Sequence, residues 1–301
     1  MYDIIVVGGG PAGLTAALYA RRANKTVLVI EKETFGGQIT HSPCVENIPG
    51  FVKLSGNEFA EKMVEQVMEQ GADVEIDEVI EIIDGETKTV VCEGAKFEGK
   101  SVIIATGAKH RLLGLERETD FIGNGISFCA VCDGAFYEGK TVAVIGGGNS
   151  ALQEALMLSD LCKRVYVVQN LDILTGEKKL QELISKRENI EVITGTLVKE
   201  LKGEVDLSSI LLENNKGEKT ELAIDGMFVA IGLIPQNDFA KNVIPLNSYG
   251  YALADESCVV DAKGIFVAGD CRQKQIRQVV TACADGATAS LKACDYVDSL
   301  K

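Results

Sequence analysis

The sequence predicts an α/β fold built from two similar halves. Short apolar runs lead directly into glycine-rich loops at Gly8–Gly13 and again at Gly146–Ala151. Each loop is followed by a stretch with helical periodicity and then by another apolar run, which predicts strand, loop, helix and strand in that order. Two later apolar runs, ending at Gly107 and Gly232, share a small-residue pattern that indicates an internal duplication. Alternating strands and helices of this kind form parallel sheets that helices cover.

The first loop reads Gly8-Gly9-Gly10-Pro11-Ala12-Gly13 and connects an apolar run over residues 3–7 to a helical pattern from Leu14 to Ala23. The next apolar run, Thr26–Ile30, ends on Glu31. Glycines at this G-x-G-x-x-G spacing allow a tight turn and let a pyrophosphate approach the helix N-terminus, and the acid is placed to accept ribose hydroxyls. The alternative is a glycine turn without a ligand, which the complete strand–helix–strand context disfavours.

The region up to residue 107 completes the first half. Phe35-Gly36-Gly37-Gln38 and Val45-Glu46-Asn47-Ile48-Pro49-Gly50-Phe51 are typical of loops. Ser55-Gly56-Asn57-Glu58 has capping-box spacing and predicts the start of a helix. Alternating runs between Val74 and Val91 predict a small antiparallel sheet. Ser101-Val102-Ile103-Ile104-Ala105-Thr106-Gly107 predicts a buried strand that ends in a turn of small residues.

The second half repeats this order. Thr141–Ile145 predicts a strand, and Gly146–Ala151 forms a G-x-G-x-x-A loop that opens a helix continuing to Leu161. Arg164–Val168 predicts the following strand, and the periodicity of Glu177–Lys186 predicts an amphipathic helix.

The chain then returns to the first half. Gly264-Ile265-Phe266-Val267-Ala268-Gly269-Asp270 predicts a strand with an acid at its carboxyl end, and Arg277-Gln278-Val279 opens a last helix. We therefore expect two Rossmann-like, three-layer ββα dinucleotide-binding domains, the second inserted into the first. The first domain comprises residues 1–114 and 243–301, and the second comprises residues 115–242.

A close cysteine pair lies just before the second glycine loop, in Ser127-Phe128-Cys129-Ala130-Val131-Cys132-Asp133-Gly134. Two cysteines at this spacing can close a small disulfide, and they act as a redox couple where a neighbouring group supplies electrons. Half of a zinc site and a purely structural disulfide are the alternatives. A zinc site would need a second close pair, whereas the other seven cysteines are scattered singly at Cys44, Cys92, Cys162, Cys258, Cys271, Cys283 and Cys294.

Composition disfavours several classes of function. A net charge of −14 argues against nucleic acid or an anionic membrane as a partner. No apolar run approaches the roughly 20 residues that span a bilayer, and no basic region precedes a signal-type core. Nine cysteines with one close pair do not resemble a secreted disulfide framework, so we expect a cytoplasmic protein. His41 and His110 are isolated, and no metal site is predicted.

Taken together, these motifs resemble the low-molecular-weight thioredoxin reductases over essentially the whole chain. The resemblance rests on Gly8–Gly13, Gly36–Gln38, Val45–Phe51, Cys129–Gly134, Gly146–Ala151, Gly269-Asp270 and Arg277–Val279, all in the family's order. It implies a flavoprotein enzyme that binds FAD in the first domain, reduces thioredoxin and forms a homodimer. The residues that would contact FAD are Gly8, Gly10, Pro11, Ala12, Gly13, Glu31, Gly36, Gly37, Gln38, Asn47, Thr106, Gly107, Gly269, Asp270, Arg277, Gln278 and Val279.

The same resemblance implies distinct roles at the cysteine pair. Cys132 would be the sulfur nearer the flavin, and Cys129 would attack the disulfide of the partner. Asp133 would donate and accept protons, because a leaving thiolate departs faster when it can be protonated. A loop-capping role for Asp133 is the alternative.

One segment departs from the family pattern. Members that use NADPH carry an arginine cluster after the second strand of the inserted domain, whereas this chain reads Gln169-Asn170-Leu171-Asp172-Ile173-Leu174. The segment also lacks an acid at Gln169 for the ribose of NADH, and Lys178 and Lys179 are expected to face solvent. The chain therefore resembles the ferredoxin-dependent branch, and we expect ferredoxin as the donor. A basic patch around Lys109, Arg111, Lys274 and Arg277 could receive it.

Two other functions stay open at this point. One is an NADH- or NADPH-dependent thioredoxin reductase, since the second glycine loop is intact. The other is a flavin-binding redox sensor without turnover, in which the cysteine pair acts as a switch. The acid next to a complete C-x-x-C favours the enzyme.

Overall fold

The computed structural model describes residues 1–300. The chain forms two compact units, one of residues 1–109 together with the stretch from Ile234 onward, the other of residues 110–233. The sequence-based boundaries lay slightly later, at 114/115 and 242/243. The chain passes from one unit to the other in two three-residue strands, which pair as a separate small sheet.

The predicted α/β class is confirmed by the order of the elements. The strands are β1 (Tyr2–Val7), β2 (Val27–Glu31), β3 (Asp73–Ile76), β4 (Val79–Ile83), β5 (Lys88–Cys92), β6 (Lys96–Ile104), β7 (Ala108–His110), β8 (Ile126–Ser127), β9 (Thr141–Ile145), β10 (Arg164–Val168), β11 (Ile190–Ile193), β12 (Thr196–Lys202), β13 (Ser209–Asn214), β14 (Lys219–Ala223), β15 (Gly226–Val229), β16 (Leu233–Pro235) and β17 (Ile265–Val267). The helices are α1 (Pro11–Arg22), α2 (Gly56–Glu69), α3 (Glu118–Phe121), α4 (Ala130–Asp133), α5 (Asn149–Ser159), α6 (Lys178–Ser185) and α7 (Val279–Ser299). Short 3-10 helices span Gly37–His41, Gly134–Tyr137, Asp238–Ala240 and Gly269–Cys271.

The first unit is organised by a seven-stranded sheet in the order β3-β2-β1-β6-β5-β4, with β17 also paired to β6. Strand β6 pairs in parallel with β1 along one edge and with two strands along the other: residues 96–99 pair with β5 in an antiparallel ladder, and residues 102–104 pair with β17 in a parallel one. The run Val74–Val91 was predicted to form an antiparallel sheet. That prediction is wrong for β3, which pairs in parallel with β2 because α2 returns the chain to the same edge of the sheet.

Helices α1 and α7 cover one face of this sheet and approach each other closely. A Cβ added to Gly286 would lie 2.1 Å from the carbonyl oxygen of Ala12, so the contact requires glycine on α7. The hydroxyl of Ser290 donates to the carbonyl of Ala16 at 2.8 Å. This contact holds the start of α1 against the last helix of the chain.

The second unit contains a parallel sheet in the order β11-β10-β9-β15-β8 and an antiparallel sheet of β12, β13 and β14. Its apolar residues form two cores. One core includes Leu152 and Leu158 of α5, both fully buried, together with Phe228 of β15. None of the helices within residues 1–300 is long and apolar enough to cross a membrane.

A buried ion-pair cluster follows β17. The Arg272 side chain is 1% exposed, and its Nε atom donates to Asp285 at 2.8 Å. The Lys274 ammonium also contacts Asp285 at 2.8 Å, and the Gly269 amide donates to the same carboxylate at 3.0 Å. Burial alone would raise the pKa of Asp285, but the hydrogen bonds from the two cations outweigh it and lower that pKa. The cluster therefore ties the turn after β17 to α7.

The Asp285→Ala variant should lose about 3–5 kcal/mol of unfolding free energy, because it leaves Lys274 buried without its hydrogen-bonded carboxylate and Arg272 with only the exposed Glu256. Urea unfolding followed by circular dichroism measures this loss. Glu78→Ala is the control in the same unit, since it removes the exposed Lys32–Glu78 pair, with its N–O distance of 3.6 Å, and should cost less than ~1 kcal/mol. Equal losses in the two variants would contradict the assigned role of the cluster.

Candidate functional site

The cysteine pair lies where a sheet edge gives way to a one-turn helix. Strand β8 ends at Ser127, which pairs with Phe228 of β15. Cys129 is the N-cap of α4, and Cys129 and Cys132 form a disulfide with their Cα atoms 5.3 Å apart. Both cysteines are half-buried, and Val131 between them is 59% exposed. A partner can therefore reach this turn from solvent.

Backbone hydrogen bonds shape the turn around the disulfide. The Cys132 amide donates to the carbonyl oxygen of Cys129 at 3.1 Å and to its Sγ atom at 3.2 Å. The Asp133 amide donates to the same carbonyl at 3.0 Å. An N–H group this close to Sγ of Cys129 would stabilise negative charge on that sulfur once the disulfide opens.

Asp133 has one satisfied and one unsatisfied carboxyl oxygen. Its Oδ2 atom accepts a hydrogen bond from the hydroxyl of Ser127 at 2.5 Å. Its Oδ1 atom is buried and has no hydrogen-bond partner within residues 1–300. Burial raises the pKa of Asp133, and the bond from Ser127 opposes that rise. A buried carboxyl whose second oxygen has no hydrogen-bond partner can bind and release a proton at that oxygen.

The first glycine loop lies at the carboxyl ends of β1, β2 and β6. A Cβ added to Gly13 would be 1.9 Å from the carbonyl oxygen of Gly8, so glycine is required where α1 packs on the loop. A Cβ added to Gly10 would meet no atom closer than 3.9 Å, so space remains beside that residue. Gly10 is also the N-cap of α1 and makes no side-chain cap, which suits an anion at this helix N-terminus.

Glu31 closes one side of this loop. Its Oε2 atom accepts a hydrogen bond from the Gly9 amide at 2.7 Å, and its Oε1 atom accepts one from the Glu33 amide at 3.0 Å. The Gly36 amide donates to the carbonyl of Gly9 at 2.8 Å, which holds the stretch Gly36-Gly37-Gln38 against the same loop. The structure thus brings together three separate segments that were predicted to contact the cofactor.

The remaining predicted cofactor residues also belong to this unit. The Asn47 side-chain amide donates to Oε1 of Gln278 at 3.3 Å, at the start of α7. The Thr106 hydroxyl donates to Oδ1 of Asn237 at 3.2 Å, just ahead of Gly107. Val279 is the first residue of α7 and packs on a small apolar cluster with Val45, Ile48 and Phe59.

Asp270 provides the test of whether a polar ligand fits this unit. Its Oδ1 atom is buried and without a partner within residues 1–300, and so is the Nε atom of Arg277. Burial raises the pKa of Asp270, whereas the charges of Lys274 and Arg277 lower it. Buried polar atoms are nearly always paired in folded proteins, so these two atoms point to a ligand that supplies hydrogen bonds, as the hydroxyls of FAD would.

The second glycine loop has the same backbone and different surroundings. Its N-cap, Gly148, has φ −84° and ψ 179°, close to the values of −80° and −176° at Gly10. The side chain of Gln169 lies against Gly147, where an added Cβ would be 2.7 Å from the carboxamide, and Gln169 is 5% exposed. The amides of Thr175 and Gly176 donate to the carbonyl of Gly147 at 2.8 and 2.9 Å. The segment after β10 therefore folds back onto the loop.

Three residues that contact the predicted site residues were given no role by the sequence. Ser127 bonds to Asp133, Asn237 accepts the hydroxyl of Thr106, and Tyr251 lies under the Arg277 guanidinium at 4.5 Å.

The proposed basic patch is wrong for Lys274, which is buried against Asp285, and Lys109 pairs with Glu33 at 2.6 Å. Lys178 and Lys179 are exposed, as expected. No group of His, Cys, Asp and Glu within residues 1–300 is arranged to hold a metal ion.

Helix α5 carries a buried carboxyl that no motif indicated. The Oε2 atom of Glu154 is buried and has no hydrogen-bond partner within residues 1–300. Burial raises the pKa of Glu154 to about 7.

Comparisons with known proteins identify the family of the chain. The family described as Pyridine nucleotide-disulphide oxidoreductase matches residues 2–286. The chain is 42% identical over 303 residues to the thioredoxin reductase of Treponema pallidum, covering 100% of this chain and 98% of that one. It is 40% identical to the thioredoxin reductase of Peptoclostridium acidaminophilum, covering 99% and 98%. The crystal structure of thioredoxin reductase from Streptococcus pyogenes shares 40% identity, with a TM-score of 0.95 and 99% of both chains covered.

The Glu154→Gln variant should be more stable than the parent protein at pH ~8, by on the order of 3 kcal/mol, and nearly equal to it at pH ~4. The folded pKa of about 7 lies above the unfolded value of 4.5, so the stability contributed by the neutral carboxyl is complete only below 4.5. That stability is lost as the pH rises from 4.5 to about 7, whereas glutamine stays neutral. Urea unfolding at both pH values measures the difference, with Glu182→Gln on the exposed side of α6 as control. The same gain at both pH values would contradict the raised pKa.

Proposed function

The chain belongs to the pyridine nucleotide-disulphide oxidoreductase family and within it to the low-molecular-weight thioredoxin reductases, and we propose how electrons pass through it. In this proposal the first unit would hold FAD, which would supply electrons to the Cys129–Cys132 disulfide, and the resulting dithiol would reduce thioredoxin. Ferredoxin is the proposed donor. The observation that carries the donor proposal is the neutral, buried Gln169 at the second glycine loop.

The residues of the first unit fit FAD in charge and in space. The N-terminus of α1 would receive the pyrophosphate beside Gly10, where the backbone leaves room. Glu31 stands at the end of β2, where a ribose would lie, and it already orients the loop through Gly9. Oδ1 of Asp270 and Nε of Arg277, which have no partner within residues 1–300, would form hydrogen bonds with the ligand. Bound FAD supplies a redox couple that accepts electrons singly or in pairs and passes a pair to a disulfide.

The second unit supplies the groups for thiol–disulfide exchange. Cys129 is the proposed attacking sulfur, because its Sγ atom accepts the Cys132 amide, which would stabilise a thiolate there. Cys132 is the proposed sulfur that exchanges electrons with the flavin. Asp133 would move the proton that each departing sulfur needs, and its vacant Oδ1 atom suits this task.

The proposal of ferredoxin rests on electrostatics at the second glycine loop. A 2′-phosphate carries nearly two negative charges, and the segment 169–174 offers no guanidinium or ammonium group to pair with them. Desolvating that phosphate unpaired costs a few kcal/mol, or roughly a hundredfold or more in affinity. NADH avoids this cost but finds a neutral amide, not a carboxylate, at residue 169. A one-electron donor requires no site at this loop.

Two points of the proposal come from the family, and two alternative functions compete with it. Thioredoxin is the disulfide substrate that the relatives' names indicate, and a homodimer stays a prediction. A sensor without turnover is disfavoured by the complete set of Cys129, Cys132 and Asp133. An NADH-dependent enzyme is the second candidate, because the backbone of the second loop matches that of the first.

The Gly10→Ala variant should bind FAD at least ~10-fold more weakly than the parent, because a methyl group would occupy the space beside the helix N-terminus. Gly148→Ala, with nearly the same backbone angles and the same free space, is the matched control and should retain FAD. Fluorescence titration of apoprotein with FAD and with FMN measures both. Release of FMN alone from the purified protein, or equal affinity in the two variants, would contradict the assignment.

Reduced ferredoxin should bleach the flavin rapidly in anaerobic stopped-flow experiments, whereas NADPH at the same concentration should be at least ~100-fold slower. Asn170→Arg combined with Leu171→Arg places two guanidinium groups on the exposed segment and should improve the response to NADPH. Lys178→Ala combined with Lys179→Ala should leave that response unchanged. Fast bleaching by NADPH or NADH, with none by ferredoxin, would contradict the proposed donor.

A further inference from the structure

Ser127 links the two groups that handle electrons and protons in the second unit. Its hydroxyl oxygen accepts the amide of Cys129 at 3.1 Å, and the hydroxyl lies 2.5 Å from Oδ2 of Asp133. Ser127 is 5% exposed, so water does not compete for these bonds.

The directions of the two bonds are determined by their donors. A backbone amide can only donate, so the Ser127 oxygen is the acceptor toward Cys129. The single hydroxyl proton is then directed to Oδ2 of Asp133, which must accept. When Asp133 is protonated, its own proton therefore lies on Oδ1, the buried oxygen that has no partner. The two carboxyl oxygens therefore have separate roles. Oδ2 is held by the hydroxyl of Ser127, and Oδ1 is available to bind and release a proton.

The serine also joins the edge of the sheet to the one-turn helix. Ser127 belongs to the edge strand β8 and pairs with the fully buried Phe228 of β15. Asp133 ends α4, a helix of one turn that has few hydrogen bonds of its own. The bond from Ser127 is therefore the contact that holds the carboxyl of Asp133 against the sheet.

We propose that Ser127 is a positioning residue for proton transfer, because it holds Asp133 so that Oδ1 faces the exchange reaction. This inference rests on the proposed role of Asp133. In the reduced enzyme, one sulfur of the pair gives its proton to Oδ1 and attacks the disulfide of the substrate. One substrate sulfur leaves and receives that proton, and the second cysteine then releases the other substrate sulfur. Two electrons and two protons pass to the substrate, and the Cys129–Cys132 disulfide forms.

Other titratable groups surround the site and define its controls. Tyr137 follows in the next 3-10 helix, and its pKa is raised to about 12 by burial and by the charges of Asp133, Asp206 and Asp225. Helix α5, which packs against α4, carries Glu154, and Cys162 follows it. Ser127 differs from these groups because its side chain is the one that hydrogen-bonds to the carboxyl group of Asp133 within residues 1–300.

The test uses holoenzyme reduced with dithionite and mixed with oxidised thioredoxin in a single turnover, over a range of pH. Ser127→Ala should move the rising limb of the rate profile upward by about one pH unit, because Asp133 loses a bond that favours its ionised form. Ser127→Thr keeps the hydroxyl and should restore the parent profile. Ser159→Ala removes another buried serine of this unit, whose hydroxyl donates to the Leu156 carbonyl at 2.6 Å, and should not shift it. Dithionite makes the assay independent of the physiological donor.

Asp133→Asn separates the inference from the proposed function. If Asp133→Asn leaves both the rate and its pH profile unchanged, the proposed role of Asp133 fails. If Asp133→Asn alters the profile while Ser127→Ala behaves like Ser159→Ala, the positioning role of Ser127 is overturned. A uniform slowing in Ser127→Ala without a shift in pH also overturns it, since that result indicates structural support alone. Infrared detection of the protonated carboxyl of Asp133 over the same pH range gives a second, independent measurement of the change in its pKa.

Discussion

The close approach of the first residue of each glycine loop to the residue that follows a neighbouring strand is the constraint on which both units depend. A Cβ at Gly8 would lie 2.4 Å from the carbonyl oxygen of Ala105, and one at Gly146 would lie 2.5 Å from that of Ala230. No side chain fits at such distances, so the backbone requires glycine whether or not a ligand is bound. An intact glycine loop is therefore weak support for a nucleotide site. The side chains that surround the loop carry that information.

The two units differ where the second strand ends. In the first unit a carboxylate, Glu31, accepts the amide of Gly9 and orders the loop. In the second unit a neutral carboxamide, Gln169, lies against Gly147 and is buried. The same backbone thus presents an acid in one case and an amide in the other. This difference, more than the glycines, is the basis of the proposal that the first loop binds a nucleotide and the second does not.

Several local features could be predicted because they depend on neighbouring residues. The capping box at Ser55 and Glu58 forms as expected, since its two hydrogen bonds join residues three apart. The disulfide between Cys129 and Cys132 also forms. The predicted basic patch was wrong for Lys274, because the carboxylates that pair with its lysines lie in other elements of the fold. Lys109 pairs with Glu33, and Lys274 with Asp285.

The sequence by itself determined the α/β class, the two glycine loops, the redox pair and the family resemblance, because each follows from spacings within a short stretch of chain. Only the tertiary structure decided which carboxyls lose their solvent. Asp133, Glu154 and Asp270 each keep one unpaired buried oxygen, and the pKa of each is raised by residues that pack on it from other elements. The burial of a side chain depends on residues from distant parts of the chain, so it cannot be predicted from a local sequence pattern. The same holds for Ser127, whose importance lies in the carboxyl that the fold of α4 brings back to it.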